Sequence, residues 1–215
     1  MMASEPSSPW PKTITVALTG ASGSQYGLRL VDCLLSAGMR VYLLVSQAGQ
    51  VVLKMEADLE VPGRAGDAEA FFRDYFKSTP GQLRVFGRQQ WSAPVASGSN
   101  PPDAMVVCPC TTGTLASIAA GVSTSLIDRA ADVTMKESRK LILVVRETPF
   151  TPIHLENMLR LARAGVVIMP ANPGFYFKPT RVEQLVDFMV ARVLDHLGVP
   201  HALLPRWGDE SVPPT

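Results

Sequence analysis

Four stretches of this 215-residue chain carry residues able to do chemistry, and each follows an apolar run. The first is Gly20-Ala21-Ser22-Gly23-Ser24, entered directly from Thr13-Ile14-Thr15-Val16-Ala17-Leu18-Thr19. A strand that ends in Gly and Ser just before a helix offers backbone N–H groups, a helix N-terminus and hydroxyls to one anion. A phosphate-bearing ligand is expected there; an ordinary tight turn is the competing reading. The glycines Gly20, Gly23 and Gly27 match neither the dinucleotide GxGxxG spacing nor the GxxxxGK[ST] loop. The second strand, 40–46, ends on Ser46, where a dinucleotide site would place an acid for the ribose hydroxyls. The pattern therefore suits a phosphate monoester, and a mononucleotide such as FMN fits it. The other two stretches are Thr111-Thr112-Gly113-Thr114 and Arg146-Glu147, again following apolar runs. Ser46, Thr111 and Thr114 could equally cap helices, which would not exclude ligand contact.

Further charged and aromatic residues stand near these stretches. Arg129 and Lys136 are seven apart, two helical turns, and so project from one helix face. Asp128 and Asp132 are close enough to pair with Arg129, so a solvated, ion-paired face is the bland alternative. Tyr176 follows a sharp Pro/Gly turn at 170–174, Arg192 lies on the last helix, and Glu56 closes the helical stretch after the second strand. For Glu56 a simple surface carboxylate is the competing reading. Trp91 and Trp207 are the candidate aromatic faces, and Trp207 could instead plug a subunit interface.

The elements that must position these groups alternate. Helical patterns at 24–37, 47–57, 67–77, 115–120, 125–137, 152–164 and 181–197 separate apolar strands at 13–18, 40–46, 83–86, 103–108, 141–145 and 166–169, with a loop at 93–102. This rhythm predicts an α/β fold: one Rossmann-like (flavodoxin-like) three-layer domain with a mostly parallel sheet. Ligands of such sheets sit beyond the carboxyl ends of the strands, where strand order reverses. The domain is expected over 13–200, after a disordered Ser/Pro-rich leader at 1–12 and before a tail at 201–215 that packs near the site or a subunit interface. Apolar residues make up 47% and charged ones 18%, an interior-rich balance that hints at surface hidden in an oligomer. A net charge of +1 gives no general attraction to nucleic acid or membrane, and no apolar run reaches the roughly 18 residues of a membrane span. The three cysteines, Cys33, Cys108 and Cys110, have no His partners nearby and are expected to be reduced and buried, as in cytoplasm, with no metal bound.

Taken in order along 13–208, the sequence resembles the flavin prenyltransferases of the UbiX type. The matching stretches are Thr19-Gly20-Ala21-Ser22-Gly23, Pro94-Val95-Ala96-Ser97-Gly98-Ser99, Arg129-Ala130-Ala131-Asp132-Val133-Thr134-Met135-Lys136-Glu137 and Arg146-Glu147-Thr148-Pro149. Ile153-His154-Leu155-Glu156-Asn157-Met158, Pro173-Gly174-Phe175-Tyr176, Leu185-Val186-Asp187-Phe188 and Leu204-Pro205-Arg206-Trp207-Gly208 complete the set. Two departures are Val145, where the family commonly has Pro, and Thr111, which leads a segment often led by Ser. The resemblance implies transfer of a dimethylallyl group from dimethylallyl monophosphate to N5 and then C6 of reduced FMN. The product, prenylated FMN, would serve a partner decarboxylase of the kind used in ubiquinone biosynthesis. It implies that Gly20, Ala21, Ser22, Ser46, Thr111, Thr112, Gly113, Thr114 and Arg129 hold FMN. Ser97, Lys136, Arg146, Tyr176, Arg192 and Trp207 would hold the prenyl phosphate. Glu147 is the expected general acid/base, with Ser22 as relay, Glu56 assisting and Lys136 on the leaving phosphate. Diphosphate-using prenyltransferases commonly hold magnesium with DDxxD runs, and none occurs here, so fixed cations would stabilise the leaving group without metal. A dry pocket with aromatic faces would stabilise the allylic cation, by about 2 kcal/mol per desolvated contact. The family implies a homo-oligomer, commonly a dodecamer, with sites between subunits. The alternatives are an FMN-dependent cysteine decarboxylase, for which His154 is the early His candidate, and a non-catalytic flavin carrier.

Overall fold

Strands that are apolar at nearly every position must be covered on both faces, and this requirement organises the chain. A computed structural model describes residues 9–204. It contains β1 (Thr13–Leu18), β2 (Arg40–Val45), β3 (Leu83–Phe86), β4 (Ala104–Cys110), β5 (Lys140–Val145) and β6 (Val167–Pro170). These form one sheet in the order β3-β2-β1-β4-β5-β6, and every pairing is parallel. The helices are α1 (Ser24–Ser36), α2 (Gln47–Ala57), α3 (Ala65–Tyr75), α4 (Thr112–Ala120), α5 (Leu126–Lys136), α6 (Pro152–Arg163) and α7 (Val182–Leu197).

Strand alternation divides the core into two layers. On β5, Ile142 and Val144 join Leu30, Leu34, Phe72, Val190 and Leu194 from α1, α3 and α7. Leu141, Leu143 and Val145 point the other way, onto Leu115, Leu126, Ala131 and Leu161 from α4, α5 and α6. Each such fully buried Val, Leu, Ile or Phe side chain contributes about 1.5–3 kcal/mol relative to exposure. Helix α1 packs closely on the sheet at Gly27, where an added Cβ would lie 2.2 Å from Leu18 Cδ2 and 2.3 Å from the Cys108 carbonyl oxygen.

Helices that follow parallel strands run back towards the sheet's amino edge. The far end of α7 is pinned there: Lys12 Nζ donates to the Leu197 carbonyl (2.9 Å), and Lys140 Nζ donates to that of His196. The far end of α5 lies at the same edge, where Thr134 meets Met105 near the start of β4.

Several boundaries differ from the sequence reading, for local reasons. The sheet is wholly parallel among the described residues, and β4 runs on to Cys110 instead of ending at Cys108. Because the Thr111 hydroxyl accepts the Thr114 N–H (3.1 Å), α4 begins at Thr112, three residues before the predicted start. The loop at 93–102 contains a 3-10 turn at Pro94–Ala96. Cys108 and Cys110 are buried in opposite layers, but Cys33 is only half-buried, which corrects its expected burial. Burial still pushes the Cys33 thiol up to about 11, against Arg29 and with help from Asp32 and Asp187. Lys12 belongs to the sheet's margin, since its carbonyl accepts the Arg40 N–H (2.9 Å); the rest of the leader up to Ser8 and the tail from Pro205 lie outside the described residues. No helix among the described residues is long and apolar enough to cross a membrane.

Gly27→Ala is expected to destabilise the fold by at least about 2 kcal/mol, because the methyl meets backbone as well as a side chain. Urea unfolding measures this; a midpoint within error of the parent would contradict the close packing of α1.

Candidate active site

The strand order reverses between β1 and β4, so the crevice expected of this topology opens there. Thr19 bridges its floor. The Thr19 hydroxyl donates to the Pro109 carbonyl (2.7 Å) and accepts the Thr111 N–H (2.9 Å), while its own N–H reaches the same carbonyl (3.3 Å). Next to it, Gly20 abuts α2, where a Cβ would come 2.4 Å from that of Ala48. Gly49 is equally constrained, 2.6 Å from the Leu18 carbonyl oxygen if it carried a Cβ. Ser46 caps α2 by accepting the Gly49 N–H (2.9 Å), and Thr111 caps α4, its hydroxyl also donating to that of Thr114 (2.9 Å). The capping reading thus holds for both.

The end of α1 carries a different anion from the one expected. The Gly23 and Ser24 N–H groups and the Ser24 hydroxyl all donate to the Glu56 carboxylate at 2.9 Å. Glu56 is therefore no free surface acid. The amides predicted to meet a ligand phosphate already meet the protein's own carboxylate. Burial pushes the Glu56 carboxyl up, but hydrogen bonds from Ser22, Ser24 and Gly23 outweigh this and hold it below its ordinary range. Arg146, leaving β5 at the same edge, donates from Nε to the Ser22 carbonyl (3.1 Å). Glu147 follows it, accepting the Thr148 N–H (3.0 Å). Tyr176 sits beyond β6, exposed, edge-on to Phe177 and Phe188.

A second group of predicted residues lies elsewhere. Arg129 Nε donates to the Ala96 carbonyl (3.1 Å), and its NH1 pairs with Asp132 (2.7 Å). Asp128 does not pair with Arg129, contrary to the sequence reading; it closes a capping box with Ser125. Lys136 pairs with Glu137, and both press on Gly98, where a Cβ would lie 2.0 Å from Glu137 Oε1 and 2.5 Å from Lys136 Nζ. Ser97 is next to it, bonded to Ser99 (3.0 Å). Arg129 and Lys136 thus share the face turned to the 94–99 loop, as their spacing predicts. Lys136, however, ends α5 at the amino edge and Arg146 ends β5 at the carboxyl edge, about 20 Å apart by the length of a six-residue strand. Arg192, paired with Asp195 (2.8 Å), is likewise on the half of α7 nearest the amino edge. One chain therefore unites Gly20, Ser22, Ser46, Glu56, Thr111, Thr114 and Arg146, but not Lys136 or Arg192 with them. Trp91 is exposed, and Trp207 lies outside the described residues. Sequence reasoning assigned no role to Thr19 or Glu137. The only signals were the hydroxyl directly after β1 and the acid adjacent to Lys136.

The family model described as Flavoprotein matches residues 2–194. The chain is 54% identical over 200 residues to a flavin prenyltransferase UbiX of Pseudomonas aeruginosa, covering 93% of this chain and 96% of that one. This chain belongs to the UbiX family of flavin prenyltransferases. Among solved structures it is similar to AnUbiX (PadA1) in complex with FMN and dimethylallyl pyrophosphate, with a TM-score of 0.81, 37% identity, and 92% and 97% of the two chains covered. A dodecameric FMN-dependent UbiX-like decarboxylase from Escherichia coli O157:H7 superposes with a TM-score of 0.78 at 38% identity, over 91% and 98% of the two chains.

Within this UbiX-family chain the three helix ends near the crevice differ electrostatically. The α1 amides are met by the Glu56 carboxylate, whereas α2 and α4 are capped by the neutral hydroxyls of Ser46 and Thr111. A ligand phosphate fits the latter two ends, each with a hydroxyl cap, better than the first. A cavity of about 430 Å³ opens at the α2 end, lined by Ser46, Gln47, Arg88 and Ser125. A larger groove of about 840 Å³ between α1, α3 and α7 reaches Glu56 from behind, but Arg29 within it is already paired with Asp32 and Asp187. His154 is spent on a capping box with Thr151, Nδ1 accepting the Thr151 N–H (3.2 Å).

Glu56→Gln is expected to lower stability at neutral pH by about 1–2 kcal/mol, since charge-assisted acceptors at a helix start are lost. The carboxyl is depressed from its ordinary 4.5, so the parent's advantage is complete above that pH and fades as pH falls through the depressed value. Thermal unfolding of both proteins from pH 7 to 3 measures this; a constant gap would contradict the charged cap.

Proposed function

We propose that this chain joins the dimethylallyl group of dimethylallyl monophosphate to reduced FMN, at N5 and then at C6, without a metal ion. Prenylated FMN then passes to a partner decarboxylase in the cytoplasm. FMN is the flavin, in keeping with the family and with the ligand of the AnUbiX structure. The observation that carries the reading is the meeting of Ser22, Glu56 and Arg146 at the strand-order reversal. A flavin carrier has no need of a carboxylate hydrogen-bonded to a serine beside a fixed cation.

Gly20, Ala21 and Ser22 border the flavin ring, with Arg129 as a further flavin contact, and Ser46 with Thr111, Thr112, Gly113 and Thr114 holds the phosphate. That orientation follows from Glu56 holding the α1 amides while only neutral hydroxyls cap α2 and α4. FMN supplies a nucleophilic N5 and an adjacent ring carbon as the prenyl acceptors. Arg146, Lys136, Tyr176, Arg192 and Ser97 hold the prenyl phosphate, so that positive charge faces the oxygen released when the C–O bond breaks. Trp207 covers the allylic carbon and keeps water away. The proton released when N5 is alkylated goes to the departing phosphate; Glu147 then gives a proton to the prenyl double bond, so that its tertiary carbon bonds C6, and takes back the proton lost from C6, with Ser22 as relay and Glu56 holding the relay in place. Because Lys136 and Arg192 lie towards the amino edge, they reach the crevice from neighbouring subunits. A homo-oligomer, dodecameric like the Escherichia coli relative, supplies those neighbours.

Anaerobic incubation with reduced FMN and dimethylallyl monophosphate, followed by mass spectrometry of the flavin, tests the reaction. One added prenyl unit, insensitive to chelator, is expected. An unchanged bound flavin, or carbon dioxide released from a cysteine-terminated peptide, would overturn it. Glu147→Gln is expected to bind FMN normally and to lose at least about 100-fold in turnover.

The shared site has its own test. Glu147→Gln and Arg192→Ala subunits, each inactive alone, are expected to regain activity when mixed and reassembled. No recovery in mixed oligomers verified by native mass spectrometry would place both residues in one chain's site.

A further inference from the structure

We infer that Thr19, which touches no ligand in the proposed reaction, is a positioning residue that sets FMN affinity by fixing the α4 end against the Gly20–Ser24 turn. This rests on the reading that Thr111–Thr114 holds the flavin phosphate, and extends it to a residue that nothing above assigns.

Thr19 stands at the one place where the sheet's order reverses, directly after β1 and beside the end of β4. Strands β1 and β4 are registered only from Ile14–Ala104 to Ala17–Val107, so ladder pairing between them stops before the loops begin. Beyond that point the β4–β5 register also shifts, between Val107 and Cys110. Past the ladder the Thr19 N–H still reaches the Pro109 carbonyl (3.3 Å), and the Thr19 side chain adds the tie that extends to Thr111. Its buried hydroxyl donates to the Pro109 carbonyl at 2.7 Å and accepts the Thr111 N–H at 2.9 Å. Both hydrogen-bonding roles of one hydroxyl are thus used, and both partners are backbone. Thr111 is the residue whose own hydroxyl caps α4, so fixing its N–H also fixes the direction of the Thr112, Gly113 and Thr114 amides. At its other side Thr19 is bonded to Gly20, which cannot move towards α2 because Ala48 is already in contact range. The hydroxyl therefore connects a sterically held turn to the start of α4 through the Thr111 amide.

Three arms test this, with oxidised FMN titrated by flavin fluorescence and, separately, turnover measured at saturating FMN. In Thr19→Val the shape is kept and both hydroxyl hydrogen bonds are lost, while the backbone N–H still reaches the Pro109 carbonyl; its FMN Kd is expected to rise about tenfold, the cost of the Thr111 amide left unpaired. The KM for dimethylallyl monophosphate at saturating FMN is expected to stay within about twofold, since Arg146 is held by the Ser22 carbonyl and not by Thr19 or Thr111. Thr19→Ser keeps the hydroxyl and is expected to bind FMN within about twofold of the parent, even if its unfolding temperature falls with the lost methyl. A Thr19→Val protein of parental FMN affinity, or a Thr19→Ser protein weakened as much as a folded Thr19→Val, overturns the inference. If Thr19→Val does not fold, Thr19→Ser carries the decision, because a merely packing role predicts weakened FMN binding there. A parent protein that binds FMN but transfers no prenyl group would sink the proposed reaction and leave this inference standing. A parent that binds no FMN would sink both.

Discussion

Everything at this site depends on the gap between β1 and β4. Parallel strands on either side of it carry their chains away in opposite directions, so the loops after β1 and β4 diverge above the sheet. A gap of that kind is useful only if its two sides keep a fixed spacing. Here hydrogen bonds through a single threonine set that spacing, and glycines at 20, 27 and 49 let α1 and α2 close in around it. The burial of two apolar layers supplies the stability; the small residues at the gap determine where the polar groups stand.

The distribution of charge over the chain carries a second constraint. Cationic groups are found at both edges of the sheet, separated by the length of the strands. Coulombic attraction over that distance in water is slight and screened by salt. Lys136 and Arg146 cannot act on one phosphate unless different copies of the chain bring them together. Self-association in the proposed reaction is then part of the chemistry and not only a means of covering apolar surface.

Much of the fold could be read from the residues, because the apolar runs are continuous and the breaks between them contain Gly, Pro or Ser. The alternation of strands and helices, the cap at Ser46 and the shared face of Arg129 and Lys136 all follow from local periodicity. What periodicity does not carry is the partner of a polar side chain. Glu56 follows Ser24 by more than thirty positions, and only the fold brings its carboxylate to the α1 end. The same holds for Arg146 with the Ser22 carbonyl and for Thr19 with Pro109. Asp128 and Asp132 stand equally ready to pair with Arg129 in the sequence; Asp132 does so, while the helix start beside Asp128 makes a stronger claim on it. The start of α4 lies earlier than the apolar pattern from Leu115 marks it, because with Thr111 as the cap the small polar residues 112–114 form the first turn.

The carboxylate that occupies the start of α1 also gives the crevice a direction. With that pole already neutralised by the protein, an elongated molecule bearing a dianion at one tip and an uncharged heterocycle at the other gains by lying one way round only. In the proposed reaction its charged tip would meet the hydroxyl-capped ends of α2 and α4, and its rings would lie beside Ser22 and Arg146. An internal anion thus sorts head from tail before any contact specific to the ring is made.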